Sequence, residues 1–223
     1  MKQWLSRIAL AVVAVLFTAA LVYHFALRRW CLHWGATDAE VQATLPADDL
    51  LPVYAGGATH AITIHAMPQK VWPWLMQIGQ DRSGFYSYTI FENLIGADMP
   101  KVERLVPEWK PRAAGETVWF GTPKRFGGQA RMIAAVVEPE RSFAMVTPND
   151  WQSLQNGGRA REVLWSFTLE PLDGGQTRLI ARLRGAPPPS LITSLVGRLF
   201  WEPAHFVMEQ KMLRTIRDLA EKS

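Results

Sequence analysis

The residues in this chain best suited to proton transfer or metal binding lie close together near its carboxyl end. They are Glu202, His205 and Glu209. His205 and Glu209 are four residues apart, so on a helix they share one face. Such a histidine–carboxylate pair could transfer a proton or supply two ligands to a metal ion. No third histidine or cysteine is spaced to complete a metal site, so the sequence favours a structural hydrogen-bonded pair and predicts neither metal nor cofactor.

A loop rich in aromatic and polar residues, GFYSY at 84–88, offers a second candidate binding surface. Its two tyrosine hydroxyls, with the carboxyl and amide that follow, could bind the polar end of a ligand at a pocket mouth. In the alternative interpretation the rings cap the core, and the acid and amide brace neighbouring loops. The candidate residues are Phe85, Tyr86, Tyr88, Glu92 and Asn93.

Large aromatic side chains elsewhere could line an apolar cavity, although aromatics at such spacings also form ordinary core. Arg131 alternates with apolar residues on a predicted strand, so its role depends on which face of the sheet its side chain occupies. Facing inward it would bind an acidic group of a ligand, and facing outward it would be an ordinary surface residue. His60 and His65 are expected to face solvent or to lie at strand ends. The aromatic candidates are Trp72, Trp119, Trp165, Phe200 and Trp201.

Several other chemistries are excluded because their motifs are missing from the sequence. The segment GTPKRFGG at 121–128 lacks the Gly-Lys-Ser/Thr ending of a phosphate-binding loop, and no Gly-x-Ser-x-Gly elbow occurs. The single cysteine, Cys31, excludes a disulfide within the chain and a cysteine-rich zinc site.

The charge of the chain is concentrated around its first apolar segment. The 223 residues carry a formal net charge of +4, and the first 29 residues contain four of the 24 basic residues and no acidic one. The remaining 20 basic residues balance the 20 acidic residues, so the rest of the chain is formally neutral. A nucleic-acid-binding domain should carry its own basic face, so no nucleic-acid partner is predicted.

Residues 8–27, IALAVVAVLFTAALVYHFAL, form an uncharged run that predicts a membrane-spanning helix. At about 1.5 Å per residue its length matches the hydrocarbon core of a bilayer. Basic residues and tryptophans flank both ends, as is typical at the membrane surface. The alternative is a cleaved signal peptide, but the apolar run continues past the small-residue site at 18–20 and ends at Arg28 and Arg29. A slight excess of positive charge at the start favours a domain outside the cytoplasm.

The remaining pattern predicts an α+β domain. We divide the chain into an anchor at 1–29, a connector at 30–57 and a domain at 58–223. A strand at 58–65 precedes helices at 68–79 and 89–95, and Thr37 begins a capping box in the connector. Five strand candidates follow between 116 and 185, with Asp173-Gly174 as a hairpin turn. Ser190 begins a helical segment to about Trp201, after which Pro203 restarts or kinks a long terminal helix to about Glu221.

Four stretches of the sequence resemble the START-like (SRPBCC) superfamily, which includes polyketide cyclases/dehydrases and plant proteins of the Bet v 1 type. They are ITIHAMPQKVWPWLMQIGQ, GFYSYTIFENLIG, LVPEWKPRAAGETV and EPAHFVMEQKML, spread over 62–213. Within the superfamily the chain is similar to a membrane-anchored bacterial branch. The resemblance implies a helix-grip fold, in which a curved antiparallel sheet surrounds a long carboxyl-terminal helix and an apolar pocket lies between them. No catalytic motif is shared across the superfamily, so no catalytic residue is assigned.

Three functions follow as hypotheses. The first is membrane-tethered binding or transfer of a hydrophobic small molecule, such as a lipid, a sterol-like or a polyketide-like compound. The second is an enzyme of the cyclase or hydrolase type that uses pocket acid–base groups such as His205 and Glu209. The third is a non-catalytic envelope protein that binds a partner and fills its pocket with its own side chains.

Overall fold

A long apolar helix begins the chain in the computed structural model, which describes residues 2–223, with side chains at positions 3, 4 and 7–223. The helix consists of α1 (Lys2–Val22), a π-helical turn at Tyr23–Leu27 and α2 (Arg28–Leu32). Among the described residues, Arg7–Leu32 is the one helix that is long and apolar enough to cross a membrane by length and composition. None of its apolar window is buried against the rest of the protein.

A six-stranded antiparallel sheet forms the body of the domain. The strands stand in the order β1-β6-β5-β4-β3-β2, so the first and last strands of the sequence are neighbours. The hairpin predicted at Asp173-Gly174 joins β5 and β6. The strands are β1 (Gly56–Ile64), β2 (Thr117–Trp119), β3 (Arg131–Glu138), β4 (Ser142–Val146), β5 (Val163–Leu172) and β6 (Gln176–Gly185).

Four short helices, α4 to α7, lie in the connections between strands, and the others precede β1 or follow β6. Thr37 forms the capping box expected in the connector, where its side chain and that of Glu40 each accept a backbone hydrogen bond. The short helices α6 and α7 were not predicted from the sequence. The helices after the anchor are α3 (Asp38–Gln42), a 3-10 turn (Asp48–Leu50), α4 (Pro68–Met76), α5 (Thr89–Leu94), α6 (Pro123–Phe126), α7 (Pro148–Gln155), α8 (Leu191–Val196) and α9 (Glu202–Ala220).

The terminal helix is continuous from α8 through a π turn at Gly197–Trp201 into α9. Pro203 explains the wider turn, because its ring would clash with the carbonyl of Leu199 and it has no N–H to donate there. The backbone N–H of Glu202 instead reaches Gly197 O, five residues back. The predicted restart at the proline is therefore a local widening that leaves one helix from 191 to 220.

The core lies between one face of the sheet and the inner face of α9. On β5, Trp165, Phe167 and Leu169 point into this core, whereas the residues between them point to the other face. Met212, Leu213 and Ile216 of the predicted α9 stripe belong to the same core cluster, with α4 closing one side. The predicted curved sheet around a long carboxyl-terminal helix is confirmed.

The connector packs against the opposite face of the sheet, where arginines of β6 hold it by hydrogen bonds. Arg178 donates to both carboxylate oxygens of Glu40 at 2.6 and 2.9 Å. Arg182 and Arg184 both donate to Asp48, at 2.5 and 2.8 Å. These contacts fix the path of the chain between the anchor helix and β1.

Candidate functional site

The candidate site is built around His60, which lies on the face of β1 that points toward α9. Side chains alternate along a strand, so His60 shares its face with Ile62 and Ile64, both core residues. Its side chain is 0% exposed. The expectation that His60 faces solvent or a strand end is therefore wrong, whereas His65 lies in the exposed turn after β1.

Glu209 of α9 reaches His60 from the other side of the core. Oε2 of Glu209 forms a short hydrogen bond with Nδ1 of His60. Oε1 accepts a hydrogen bond of 2.6 Å from the indole Nε1–H of Trp165 on β5. Nε2 of His60 lies 2.7 Å from the carbonyl oxygen of Cys31, and a carbonyl only accepts, so this nitrogen carries a hydrogen. The helix, two strands and the end of the anchor thus meet in one polar cluster.

His205 completes the cluster one helical turn before Glu209. Its Nε2 lies 3.3 Å from Oε2 of Glu209, close enough for an ion pair. Its ring stacks beside that of His60 with 5.9 Å between the ring centroids. The side chain is 24% exposed, so His205 forms the boundary between the cluster and solvent.

The charges in the cluster stabilise one another. Burial opposes ionisation of Glu209, but His205 and His60 outweigh it and hold the pKa of this carboxyl well below its usual range. Burial likewise lowers the pKa of His205, but the adjacent Glu209 carboxylate more than offsets this and raises it above its ordinary value. An ionised Glu209 between two imidazoles is the favoured state of the cluster.

The structure therefore supplies the third histidine that spacing along the chain did not. His60 is 145 and 149 residues from the other two members in sequence, and only the pairing of β1 beside β6 and α9 brings it to them. The His205–Glu209 pair, which had no third histidine spaced near it in the sequence, thus has one beside it in the fold. The ligand atoms of the three residues lie within 4.8 Å of one another.

A pocket with a volume of about 390 Å³ opens beside this cluster. His60 and His205 line it on one side, and the inner side of α8 and the π turn lines it on another. The end of the anchor helix contributes Arg28, Cys31 and Leu32. Glycines at the start of β1 and the end of β6 leave the space open, because they have no side chains to fill it.

Glu202 ties the anchor helix to the rim of this pocket. Arg28 donates two hydrogen bonds to its carboxylate, from Nε at 2.7 Å and Nη2 at 2.8 Å. The hydroxyl of Tyr23 donates a third at 3.2 Å. Trp30 packs edge-to-face against Phe206 with a centroid distance of 5.2 Å. The carboxyl end of the anchor is thus bonded to the start of α9.

The structure brings four of the sequence-predicted site residues together and places the others elsewhere. Trp201 and His205 line the pocket, and Glu209 and Trp165 lie directly behind His205. Phe85 stacks on Trp165 at 5.8 Å, one layer deeper in the core. Trp72 and Tyr86 are buried in the core, Tyr88 caps the start of α5, and Phe200 is exposed on the terminal helix.

The remaining candidates lie away from the pocket. Arg131 pairs with Trp119 across β2 and β3, on the sheet face opposite the core residues Val118 and Met132, so it takes the outward orientation. Its guanidinium lies over the Trp119 ring at 5.6 Å. Nδ2 of Asn93 donates a hydrogen bond to the carbonyl oxygen of Met99, and Oδ1 accepts one from the N–H of Met99. Asn93 therefore braces a neighbouring loop, as the alternative interpretation of this segment predicts.

Glu92, next to this brace, is expected to make the stability of the protein depend on pH. Within the described part of the chain no hydrogen bond reaches its buried Oε2, and burial raises its pKa to about 7. The folded carboxyl binds a proton more tightly than the unfolded one, so stability is lost as pH rises from about 4.5 to about 7. Above about pH 7, the raised pKa alone would lower the unfolding free energy by about 3 kcal/mol. Solvent screening of this half-buried carboxyl reduces the expected loss to about 1–2 kcal/mol.

We expect Glu92→Gln to raise the unfolding free energy by that amount at about pH 8 and to change it little at about pH 5. The exposed Glu108 provides the control, because Glu108→Gln removes a carboxyl in contact with water. Chemical denaturation of the three proteins at both pH values measures the difference. Parallel pH profiles for Glu92→Gln and the parent would contradict the prediction.

The architecture shows the fold of the domain. A curved six-stranded antiparallel sheet around a long carboxyl-terminal helix is the helix-grip fold of START-like proteins, as the sequence predicted. No protein-family model matches the chain, and no curated protein matches it.

Solved structures similar to the chain come from several bacteria. One is a protein from Mesorhizobium loti, 16% identical over 75% of this chain and 98% of that one, with a TM-score of 0.39. Another is a Polyketide_cyc-like protein from Corynebacterium glutamicum, 19% identical over 74% and 85% of the two chains, with a TM-score of 0.33. A third is the Aha1 protein of Colwellia psychrerythraea, 15% identical over 70% and 94%, with a TM-score of 0.37.

Proposed function

We propose that this protein is a membrane-tethered binding protein for a hydrophobic small molecule with a polar end, which it holds in the pocket beside His60 and His205. The observation that carries the proposal is the position of this pocket. Its lining combines the end of the apolar anchor helix with the inner side of the terminal helix. A ligand leaving a bilayer along the anchor would reach this opening first.

The size and lining of the pocket suit such a ligand. A volume of about 390 Å³ falls within the range of small-molecule sites. Leu183, Trp201 and Phe206 supply apolar surface, and Arg28, Glu202 and His205 supply a few polar groups at one side. Mostly apolar surface with a few polar groups orients an amphiphile by its polar end.

The outer side of the terminal helix supports a location at the membrane surface. Tyr23 contacts Glu202 and Trp30 contacts Phe206, so the anchor and the terminal helix run in the same direction where they meet. The segment 191–201 therefore lies on the anchor side of this contact. Its exposed apolar residues form a surface suited to lipid: Leu191, Ile192, Leu195, Val196, Leu199, Phe200 and Trp201.

The test fills the pocket without disturbing the fold. A Cβ added at Gly197 meets no atom within 4 Å, and this residue has ordinary helical dihedrals. Gly197→Phe therefore places a ring into the pocket from a position where any residue is tolerated. We expect it to lower the occupancy of a bound molecule at least about tenfold, a loss of about 1.4 kcal/mol in binding.

Native mass spectrometry of the full-length protein, released from detergent micelles, measures this occupancy. The parent is expected to retain a lipid-, sterol- or polyketide-sized adduct that denaturation releases. Val196→Phe is the matched control, because it adds the same ring one residue earlier on the exposed side of the helix. Equal adducts in Gly197→Phe and Val196→Phe, or a parent free of any adduct after purification from membranes, would contradict the proposal.

A further inference from the structure

We propose that His60, His205 and Glu209 form a binding site for a divalent first-row transition-metal ion. Each residue presents one ligand atom: Nδ1 of His60, Nε2 of His205 and Oε2 of Glu209. These atoms lie within 4.8 Å of one another, and Oε2 of Glu209 is 3.3 Å from Nε2 of His205. The inference rests on this cluster alone and is independent of what the pocket binds.

Two imidazoles and one carboxylate are a donor set that suits such an ion. Zinc takes two histidines and a glutamate in catalytic sites, and iron(II) takes two histidines and a carboxylate with open positions beside them. With metal–ligand bonds of about 2.1 Å, tetrahedral ligand atoms stand about 3.4 Å apart. Side-chain adjustments of about an ångström would bring the three atoms from their present separations to that spacing.

The residues that hydrogen-bond to the ligand side chains are arranged as they are in known metal sites. A metal-bound histidine usually donates its other N–H to a carbonyl or carboxylate, which fixes the ring and its tautomer. His60 does this through Nε2, which lies 2.7 Å from the carbonyl oxygen of Cys31. Trp165 holds Oε1 of Glu209 at 2.6 Å, which leaves Oε2 facing the two imidazoles.

His205 is held in the cluster by an ion pair with Glu209 rather than by a hydrogen bond. Its Nε2 is buried, and no atom of the described residues forms a hydrogen bond with it, since its approach to Glu209 lies outside hydrogen-bond geometry. Leaving a buried polar nitrogen without a hydrogen bond costs stability. A metal ion between Nε2 and Oε2 would satisfy that nitrogen and neutralise the carboxylate.

The site also has room for an exogenous ligand. His60 and His205 both line the pocket of about 390 Å³, so the side of the ion away from the protein ligands would face that space. Three protein ligands with an open position are the arrangement of catalytic rather than structural zinc sites. Water or a polar group of a pocket ligand could take this position.

The experiment titrates the full-length protein, with any affinity tag removed and previously bound metal stripped by EDTA, with Zn²⁺ in detergent. We expect one Zn²⁺ per chain by calorimetry. Substitution with Co²⁺ should give the visible absorption of a four- or five-coordinate nitrogen and oxygen site. His205→Gln should weaken Zn²⁺ binding by at least about 100-fold, since even outer-shell changes at metal sites cost about 10- to 100-fold.

The control is His65→Gln, which makes the same change at an exposed histidine outside the cluster. Glu209→Gln gives a second test, because the amide keeps the shape of the side chain and can still accept from Trp165. Circular dichroism of each variant establishes that it is folded. A parent that binds less than one Zn²⁺ per chain, or a folded His205→Gln that binds as tightly as His65→Gln, would overturn the proposal.

Discussion

Asp48→Ala is expected to lower the thermal unfolding midpoint of the full-length protein in detergent by about 6–20 °C. Removing one partner of a buried ion pair costs about 3–5 kcal/mol, because the other charge stays buried without compensation. In a protein of this size each kcal/mol corresponds to about 2–4 °C. The expected loss is among the largest that a single substitution in this chain should produce.

The reason lies in how completely Arg182 and Asp48 are removed from water. Both side chains are 3% exposed, and Nη1 of Arg182 lies 2.5 Å from the Asp48 carboxylate. Arg184 donates to the same oxygen at 2.8 Å. Arg182 also donates to the carbonyl oxygens of Glu40, Val41 and Ala43 in the connector. Losing Asp48 would therefore leave two arginines without their anion and would loosen the connector from the sheet.

The exposed pair Arg29–Asp38 is the matched comparison, since its side chains are 81% and 80% exposed. Asp38→Ala should cost about 1 kcal/mol or less, as is usual for ion pairs in water. Circular dichroism during heating follows all three proteins. A midpoint for Asp48→Ala within a few degrees of Asp38→Ala would show that the buried network contributes little net stability.

The sequence predicted the strand that carries this network but not the partners of its arginines. The sequence predicted the last of five strands to end at 185, and that strand is present at Gln176–Gly185, with apolar and basic residues in alternation. Alternation could not reveal that the arginines of that face bind the connector, because their partners lie more than 130 residues away. The sequence predicts the 28-residue connector as a link between anchor and domain, whereas the structure buries its Leu45 and Leu51 against the sheet.

The buried position of His60 could have been predicted from the sequence. In a strand at 58–65 the apolar Ile62 and Ile64 predict one buried face, and His60, two positions earlier, must share it. Glu209 gives a parallel case on α9, because it lies three residues after Phe206 and four before Leu213 on the buried stripe. A histidine and an acid on two core faces predict a buried polar pair. Their meeting depends on the strand order, which the spacing of residues does not encode.

Helix α7 was missed although its start carries a recognisable pattern. Thr147 accepts a hydrogen bond from the N–H of Asp150, and Pro148 occupies the first helical position. The buried carboxylate of Asp150 then accepts the backbone N–H groups of Arg161 and Val163 at 2.6 and 3.1 Å. The helix is short and has only a weak apolar face, so periodicity did not reveal it.

Glu209→Ala is the second change with a large expected effect, a loss of about 3–5 kcal/mol in the absence of metal. The carboxylate is 2% exposed and accepts from Trp165 at 2.6 Å while bonding His60 on its other oxygen. Alanine would leave a buried indole N–H and a buried imidazole nitrogen without partners, and it would open a cavity between β5 and α9. The thermal midpoint should fall by about 6–20 °C.

Glu209→Gln separates hydrogen bonding and packing from charge. Its amide oxygen can accept from Trp165 and its amide nitrogen can donate to His60, so both partners stay satisfied. We expect it to cost about 1.5–3 kcal/mol, less than alanine, because both hydrogen bonds are kept but the anion that the two imidazoles stabilise is lost. Thermal unfolding in EDTA measures both variants against the parent. Equal losses for alanine and glutamine would instead assign the stabilisation to the anion between the two histidines.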